Sequence, residues 1–245
     1  MTNLNIPQIT IIDHTGKGNN DPLYAAKLLA YTKNTRLQMT PAGMEEFFKK
    51  SENEILKELE YMSNTIPSSW EFVDVTFSIE RVSRACAQQI TRTRTASYAM
   101  QSQRVTDMST ASYHIPESVR YKANYKFMIE RAISDYNRTI FNGESLEDAR
   151  GLLPMNIHCN LIAKYNLRSL VDLLRARKSP YRVQGEYQSV AQQMQTEVEK
   201  IWPWTKAFFV PKDDKAISLI EDVAGKIENK ELKMQLAKAA DLLKK

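Results

Sequence analysis

Cysteine and histidine are scarce in this 245-residue chain, and their scarcity limits the kinds of site it can carry. The two cysteines, Cys86 and Cys159, each lack a second cysteine nearby, which excludes zinc and redox motifs of the CxxC type. Such sparse cysteine usage favours a reduced, intracellular compartment. The three histidines, His14, His114 and His158, show no metal-ligand spacing with another histidine, cysteine or carboxylate pair, so we predict no metal site.

Long apolar runs are also missing from the chain. No apolar stretch approaches the roughly 18 residues that a membrane-spanning helix requires. The first residues, MTNLNIPQITIID, contain no basic stretch followed by a long apolar run, so we expect no signal peptide. The sequence therefore predicts no membrane partner.

The composition fits a folded domain with an anionic partner. Hydrophobic residues make up 42% of the chain, which is enough for one sizeable core. Charged residues make up 26%, an ordinary value for a globular protein. The formal net charge of +5 favours a partner such as nucleic acid, anionic lipid or a phosphorylated small molecule.

The spacing of apolar residues predicts mostly helices and a few strands. Alternation predicts strands over Ile9–Ile12 and Glu71–Ile79, and Thr40 and Ser145 are typical helix N-caps. The predicted helices cover 22–32, 41–62 in one piece or two, 81–92, 116–141, 145 to about 154, 166–177 and 187–201, followed by a short PWTKAFF segment and two amphipathic helices after 213. We therefore expect an α+β domain over residues 1–212, with a helix-dominated body and a small antiparallel sheet, and a helical extension over 213–245.

The stretch RTRTASYAMQSQR, Arg92 to Arg104, concentrates three arginines without one acidic residue. A second basic group follows later in the chain, at Arg168, Arg175, Arg177 and Lys178, and Arg150 lies between the two. The planar guanidinium suits bidentate contacts to phosphate or to a pyrimidine edge. Surface ion pairs are the simpler alternative. Against them stands the lack of any carboxylate within the stretch.

The same stretch resembles the motif RHRxxSxxxxSxRY of the flavin-dependent thymidylate synthases. It reads Arg92-Thr93-Arg94, then Ser97, Ser102, Arg104 and Val105. Four further blocks resemble that family in the same order, so the resemblance covers roughly residues 8 to 210. These blocks are SSWEFVDVTFSIERVSRACAQQ at 68–89, ARGLLPMN at 149–156, NLRSLVDLLRAR at 166–177 and PWT at 203–205.

The resemblance implies an enzyme that converts dUMP to dTMP. It implies a methylene group taken from methylenetetrahydrofolate, a hydride taken from reduced FAD, and NADPH as the reductant of the flavin. The family uses no cysteine nucleophile, which agrees with Cys86 and Cys159 as core residues. It also implies a homotetramer with sites where subunits meet, no nucleic-acid partner, and a cytoplasmic location in a bacterium or, if phage-encoded, in its host.

The resemblance also assigns roles to individual residues. Arg177 matches the arginine that ionises the pyrimidine at N3 and so makes C5 nucleophilic, and Glu71 matches an acidic residue beside the FAD-contacting segment. The implied nucleotide-binding residues are Gln89, Arg92, Ser102, Gln103, Arg104, Arg150 and Arg177. The implied FAD-binding residues are Ser68, Arg92, Thr93, Arg94, Asn166, Leu167, Arg168 and Asp172.

Five positions depart from the family pattern. The family has histidine at the positions of Thr93, Ile66 and Tyr181. It has tyrosine at the position of Val105, and either asparagine or histidine at the position of Asp172. One interpretation is a repacked site with the same reaction. Another is a folate pocket that admits water, which would give a hydroxymethyl product from dUMP or dCMP, with Asp172 favouring the cytosine base.

Two further classes of function also fit the sequence. A nucleic-acid-binding protein would use the arginine stretch with exposed rings for stacking, and Tyr98 and Tyr113 are the rings near it. A flavin oxidoreductase that acts without folate is the other class. DNA binding that falls steeply with salt would indicate the first class, and NADPH oxidation independent of nucleotide and folate would indicate the second.

Overall fold

A four-stranded antiparallel sheet forms the centre of the fold. The computed structural model of the chain describes residues 6–37, 39–65, 67–178, 183–210, 219–220, 222–224, 226 and 231–236. The strands are β1 Gln8–His14, β2 Asp74–Ser83, β3 Ala96–Met100 and β4 His158–Asn166. Their spatial order is β1-β2-β4-β3, and every neighbouring pair is antiparallel. The predicted α+β fold is confirmed.

Helices make up most of the remaining described chain. Thr40 caps α2 by accepting a hydrogen bond from the Gly43 N–H, as its sequence pattern predicts. Ser51 separates α2 from α3 through a capping box with Glu54, so the predicted helix over 41–62 is two helices. The helices are α1 Tyr24–Lys33, α2 Pro41–Phe48, α3 Glu52–Met62, α4 Arg84–Ile90, α5 Lys122–Phe141, α6 Leu146–Ala149, α7 Leu167–Lys178, α8 Gly185–Ile201 and α9 Lys206–Phe209, with 3-10 turns at Pro67–Phe72, Arg150–Leu152 and Pro203–Thr205.

The core lies on one face of the sheet, where α7 and α8 pack. Alternate residues of β2, among them Val75, Phe77 and Ile79, are fully buried on this face. The pattern repeats along β4, where Leu161, Ala163 and Tyr165 are buried and the residues between them, Ile162 and Lys164, are exposed. The period of two along each strand therefore places the apolar side chains against the helices.

The predicted helix over 81–92 is wrong at its start. Arg81 has a φ of 57°, in a register shift between Ile79 and Val82, and β2 continues beyond it to Ser83. Val82 pairs with Cys159 of β4, so this residue belongs to the sheet. The helix α4 begins after Ser83, whose side chain accepts a hydrogen bond from the Cys86 N–H.

The predicted helix over 116–141 also begins later, at Lys122. Residues 116–121 form a turn in which the Val119 N–H donates to the carbonyl of Pro116 at 3.1 Å, and the segment just before them is paired, since Tyr113 forms an isolated bridge with Ile157. The N–H of His114 also donates to the carbonyl of Asn156 at 2.9 Å. The chain therefore turns after this pairing before the helix begins.

Some predictions concern residues outside the described ranges. Ile66 and Tyr181 lie there, as does the predicted boundary between residues 212 and 213. Across the described ranges, no helix combines the length and the apolar character that a bilayer crossing needs.

Candidate active site

The arginine loop, residues 92–95, joins α4 to the edge strand β3. The hydroxyl of Tyr98 donates to the carbonyl of Thr93 at 3.0 Å and fixes the loop against the strand. Arg92 and Arg94 are exposed, and no carboxylate in the described part of the chain lies within 4 Å of either. Two uncompensated cations therefore extend from an anchored backbone.

The first turn of α7 meets this loop. Ser169 donates from its hydroxyl to the hydroxyl of Thr95 at 2.9 Å. The side chain of Asn166 accepts from the Ser169 N–H at 2.9 Å, and the N–H of Leu167 donates to the carbonyl of Val73 at 2.7 Å. The block that contains Asn166, Leu167 and Arg168 is thus brought next to the arginine loop that contains Arg94. Both blocks were predicted to bind the same cofactor.

Glu71 and Arg168 form an ion pair at the same end of the sheet. The Arg168 Nη1 lies 2.6 Å from the Glu71 Oε1, and both side chains are about half exposed. Glu71 was predicted to begin strand β2, but it lies in the 3-10 turn Pro67–Phe72 that also carries Ser68. Asp172 is exposed one turn farther along α7 than Arg168.

The second basic group divides into residues with different surroundings. Arg175 donates to the carbonyl of Phe208 at 2.7 Å, so it ties α7 to α9. Arg177 instead lies over the ring of Tyr187, with 4.6 Å between the guanidinium carbon and the ring centroid. Arg177 has no carboxylate within 4 Å in the described ranges, and its N–H donors can meet a ligand.

Gln89 ends a chain of hydrogen bonds that sequence reasoning missed. Its amide nitrogen donates to the Gln184 Oε1 at 2.5 Å, and Gln184 donates in turn to the Glu186 Oε2 at 3.3 Å. The buried Glu186 accepts from both the N–H and the hydroxyl of Ser83, each at 2.6 Å. No local pattern marks Gln184 or Glu186, because their partners lie about a hundred residues away in the sequence.

The other predicted nucleotide-binding residues follow β3. The hydroxyl of Ser102 accepts from the Arg104 N–H at 3.2 Å, and the Arg104 side chain pairs with Glu147 of α6 at 3.0 Å. Arg150 is exposed in the turn directly after α6. Gln103 is only 9% exposed, and its amide nitrogen has no hydrogen-bond partner in the described structure. A buried donor without an acceptor is costly unless a ligand supplies one.

A second, smaller core supports this segment. Met108, Tyr136, Ala149 and Ile157 are buried together, and the hydroxyl of Tyr136 accepts from the Met108 N–H at 3.1 Å. Within the described ranges, no hydrogen bond, ion pair or ring contact joins Arg104 or Arg150 to Arg177 or to the arginine loop.

The cysteines cannot supply a ready nucleophile. Both are free and buried. Burial, reinforced by the Glu186 carboxylate and Cys159, raises the pKa of the Cys86 thiol. Burial also raises the pKa of Cys159. The described residues include no cluster of three or more His, Cys, Asp or Glu that could hold a metal ion.

The donor set fits anionic ligands. Arg92, Arg94 and Arg150 present uncompensated guanidinium groups, and Gln103 presents an unpartnered amide donor. The N-terminus of α7 lies against the arginine loop. Guanidinium forks and helix N-termini both bind phosphate oxygens. Val105 stands where the motif has an aromatic residue. Its side chain is 74% exposed, so the smaller residue creates no cavity in the core.

Comparisons with known proteins identify the family that the chain resembles. The family described as Thymidylate synthase complementing protein matches residues 10–204. The chain is similar to the flavin-dependent thymidylate synthase of Pyrococcus furiosus, at 35% identity over 192 residues, or 71% of this chain and 78% of the relative. That of Clostridium tetani is 31% identical over 207 residues, or 72% of this chain and 83% of the relative. That of Nitratidesulfovibrio vulgaris is 28% identical over 201 residues, or 77% and 80%.

Proposed function

The chain belongs to the family of flavin-dependent thymidylate synthases, and we propose that its arginine loop, α7 and the segment after β3 bind the reactants. The enzyme converts dUMP to dTMP with a methylene group from methylenetetrahydrofolate. Bound FAD supplies the hydride that completes the methyl group, and NADPH restores the reduced flavin. The observation that carries the assignment of the site is that the exposed Arg92, Arg94 and Arg150 have no carboxylate partner among the described residues.

The nucleotide is held by residues from α4, the arginine loop and the segment after β3. Arg104 and Arg150 neutralise the phosphate, whose charge near −2 calls for more than one cation. Ser102 and the unpartnered amide of Gln103 add neutral donors. Arg92 and the amide of Gln89, which Gln184 holds in place, complete the set.

Arg177 is the catalytic residue of this proposal. Its guanidinium donates to the pyrimidine ring and stabilises the negative charge that develops when N3 loses its proton. That charge spreads to C5, which becomes the nucleophile toward the methylene carbon. Arg177 suits this role because, among the residues that the structure describes, no carboxylate pairs with its guanidinium.

FAD is held by the first turn of α7 and the residues that meet it. Arg94 and Arg168 would bind the diphosphate, and Asn166 and Leu167, at the start of α7, would lie beside it. Ser68, Arg92, Thr93 and Asp172 complete the binding surface. The ion pair of Arg168 with Glu71 is solvent-exposed and weak, so a phosphate can replace the carboxylate.

The test is mass spectrometry of the products formed with FAD, NADPH and methylenetetrahydrofolate. The expected outcome is dTMP from dUMP and no product from dCMP. A product one oxygen heavier than dTMP, or turnover of dCMP in preference to dUMP, contradicts the proposal. NADPH oxidation that needs neither nucleotide nor folate contradicts it as well.

A matched pair of variants tests the role of Arg177. Arg177→Ala is expected to lower kcat by at least about a hundredfold and to leave FAD bound, since the residue acts on charge developing in the transition state. Arg36→Ala removes an exposed arginine of the turn after α1 and is expected to leave turnover unchanged. Retained turnover in Arg177→Ala would remove the residue from the mechanism.

We also propose a homotetramer whose sites are completed between subunits. The support is twofold: Arg104 and Arg150 have no described contact with Arg177, and α5 exposes the apolar side chains of Phe127 and Met128. Light scattering is expected to give four times the mass of one chain. Mixed tetramers of Arg104→Ala and Arg177→Ala subunits are expected to regain about a quarter of wild-type activity, because one combination in four restores both residues at a shared site. No recovery would place both residues in one subunit's site.

The domain division and the location of the enzyme stay predictions. A chain that ends at residue 212 is expected to keep turnover if the later residues are an appended extension. Fractionation of cells that express the protein is expected to recover it with cytoplasmic enzymes.

A further inference from the structure

The contact beneath Arg177 is a cation held over a buried ring. The guanidinium carbon lies 4.6 Å from the centroid of the Tyr187 ring. Tyr187 is fully buried in the first turn of α8, whereas Arg177 is partly exposed at the end of α7. A desolvated ring face attracts a cation more strongly than an exposed one does.

The Tyr187 ring belongs to the first turn of α8, which buried hydrogen bonds attach to α4. Glu186, its neighbour in sequence, accepts two hydrogen bonds from Ser83, each at 2.6 Å. Ser83 is the N-cap of α4, the helix that carries Gln89. The ring of Tyr187 and the amide of Gln89 are therefore fixed to the same junction of α4 and α8.

The ring attracts Arg177 as a neutral phenol. Burial raises the pKa of the Tyr187 hydroxyl, and the opposing effects of Arg177 and Thr93 do not reverse this. The guanidinium of Arg177 carries five N–H donors, and its contact with the ring and hydroxyl of Tyr187 leaves most of them available. A carboxylate in the same place would hold the cation but would occupy those donors.

We propose that Tyr187 is the positioning residue for Arg177: its buried ring holds the guanidinium in place and leaves the N–H edge free for the pyrimidine of dUMP. The inference rests on the proposed function, since it assigns Tyr187 its role through Arg177. Thr93 of the arginine loop, where the motif of the family has histidine, lies close enough to the Tyr187 hydroxyl to influence its pKa. The KM for dUMP and the affinity for FAD therefore have to be measured beside kcat, because a disturbed arginine loop would change them and a misplaced Arg177 alone would not.

Two substitutions separate the ring from the hydroxyl. Tyr187→Phe keeps the ring and is expected to retain kcat within about twofold. Tyr187→Leu removes the ring and is expected to lower kcat at least about tenfold while the KM for dUMP changes less than about threefold. Flavin absorbance confirms that FAD is still bound. Full kcat in Tyr187→Leu, or a loss confined to KM, overturns the inference.

The double variant shows whether Tyr187 acts through Arg177. If it does, Tyr187→Leu combined with Arg177→Ala is no slower than Arg177→Ala alone. Multiplied losses of rate in the double variant would mean an independent role and would overturn the inference. A wild-type protein that makes no dTMP would instead refute the proposed function, so the two failures are distinguishable.

A shape-conserving series decides the question if Tyr187→Leu does not fold. Mono-, di- and trifluorophenylalanine placed at position 187 withdraw charge from the ring face with little change in shape. Because the attraction to Arg177 depends on that charge, kcat is expected to fall stepwise with the number of fluorine atoms. An unchanged kcat across the series would show that the ring serves only as packing.

Discussion

The carboxylate of Glu186 accepts two hydrogen bonds from Ser83, 2.6 Å from its N–H and 2.6 Å from its hydroxyl. Both residues are buried, and the contact joins the start of α8 to the start of α4. Local sequence patterns do not predict this contact, since the two residues lie 103 positions apart. It nevertheless holds together the two helices that carry Gln89 and Tyr187.

Glu186→Gln is expected to lower the free energy of unfolding by about 2 kcal/mol. The amide replaces one acceptor oxygen with a donor group, so one buried donor of Ser83 loses its partner. Urea unfolding at neutral pH measures the change. Glu197→Gln, the same substitution in an exposed pair with Lys200 on the same helix, is expected to cost less than about 0.5 kcal/mol. Equal effects of the two variants would contradict a special role for the buried carboxylate.

Cys86→Ala and Cys159→Ala are each expected to leave kcat within about twofold of wild type. Both thiols are buried, and their raised pKa keeps them protonated. The free energy of unfolding is expected to fall by about 1 kcal/mol in each variant, because a small buried group is lost. Steady-state kinetics and urea unfolding test the two expectations. A variant that binds dUMP and FAD but has no turnover would show that a thiol takes part in the chemistry.

The motif residues could be placed from the sequence because they lie in short blocks. Arg92 to Arg94 precede an edge strand, and Asn166 ends β4 directly before Leu167 and Arg168 begin a helix with clear apolar spacing. What the sequence leaves open is which side chains meet between blocks. The hydrogen bond from Ser169 to Thr95 joins two of them, and it depends on how β4 and β3 pair.

Strand β3 shows why local patterns fall short. Its five residues, ASYAM, alternate, but two alanines and a serine give a weak apolar signal. Pairing with β4 decides their conformation, from Ala96 opposite Tyr165 to Met100 opposite Leu161. The role of Tyr187 is equally hard to predict, because its contact with Arg177 of α7 has no counterpart in the apolar spacing of α8.

Arg168→Ala is expected to weaken FAD binding roughly tenfold. A hydrogen bond to a charged group contributes about 1.5–3 kcal/mol, and about 1.4 kcal/mol corresponds to a factor of ten. Glu71→Gln removes the competing carboxylate and is expected to leave FAD affinity unchanged or increase it. Arg138→Ala breaks a comparable exposed pair with Asp135 and serves as the control. Titration of apoprotein with FAD gives the affinities, and no loss in Arg168→Ala would exclude this residue from the cofactor site.

His158 is expected to make the fold sensitive to acid. Burial, reinforced by His114 and Arg81, lowers the pKa of His158 to about 4, from the usual 6.5. The unfolded chain therefore binds more protons between these values. The stabilising contribution is complete above about pH 6.5 and is lost as the pH falls toward 4, by at most about 3 kcal/mol.

The substitution His158→Gln is expected to flatten this part of the pH dependence, because a glutamine has no proton to take up over that range. Urea unfolding of both proteins at several values between pH 7.5 and pH 4.5 isolates the difference, since the carboxylates titrate equally in each. His14→Gln, at the end of β1, serves as the matched control. If wild type and His158→Gln lose stability in parallel as the pH falls, the buried imidazole is not the group responsible, and acid sensitivity must come from the carboxylates.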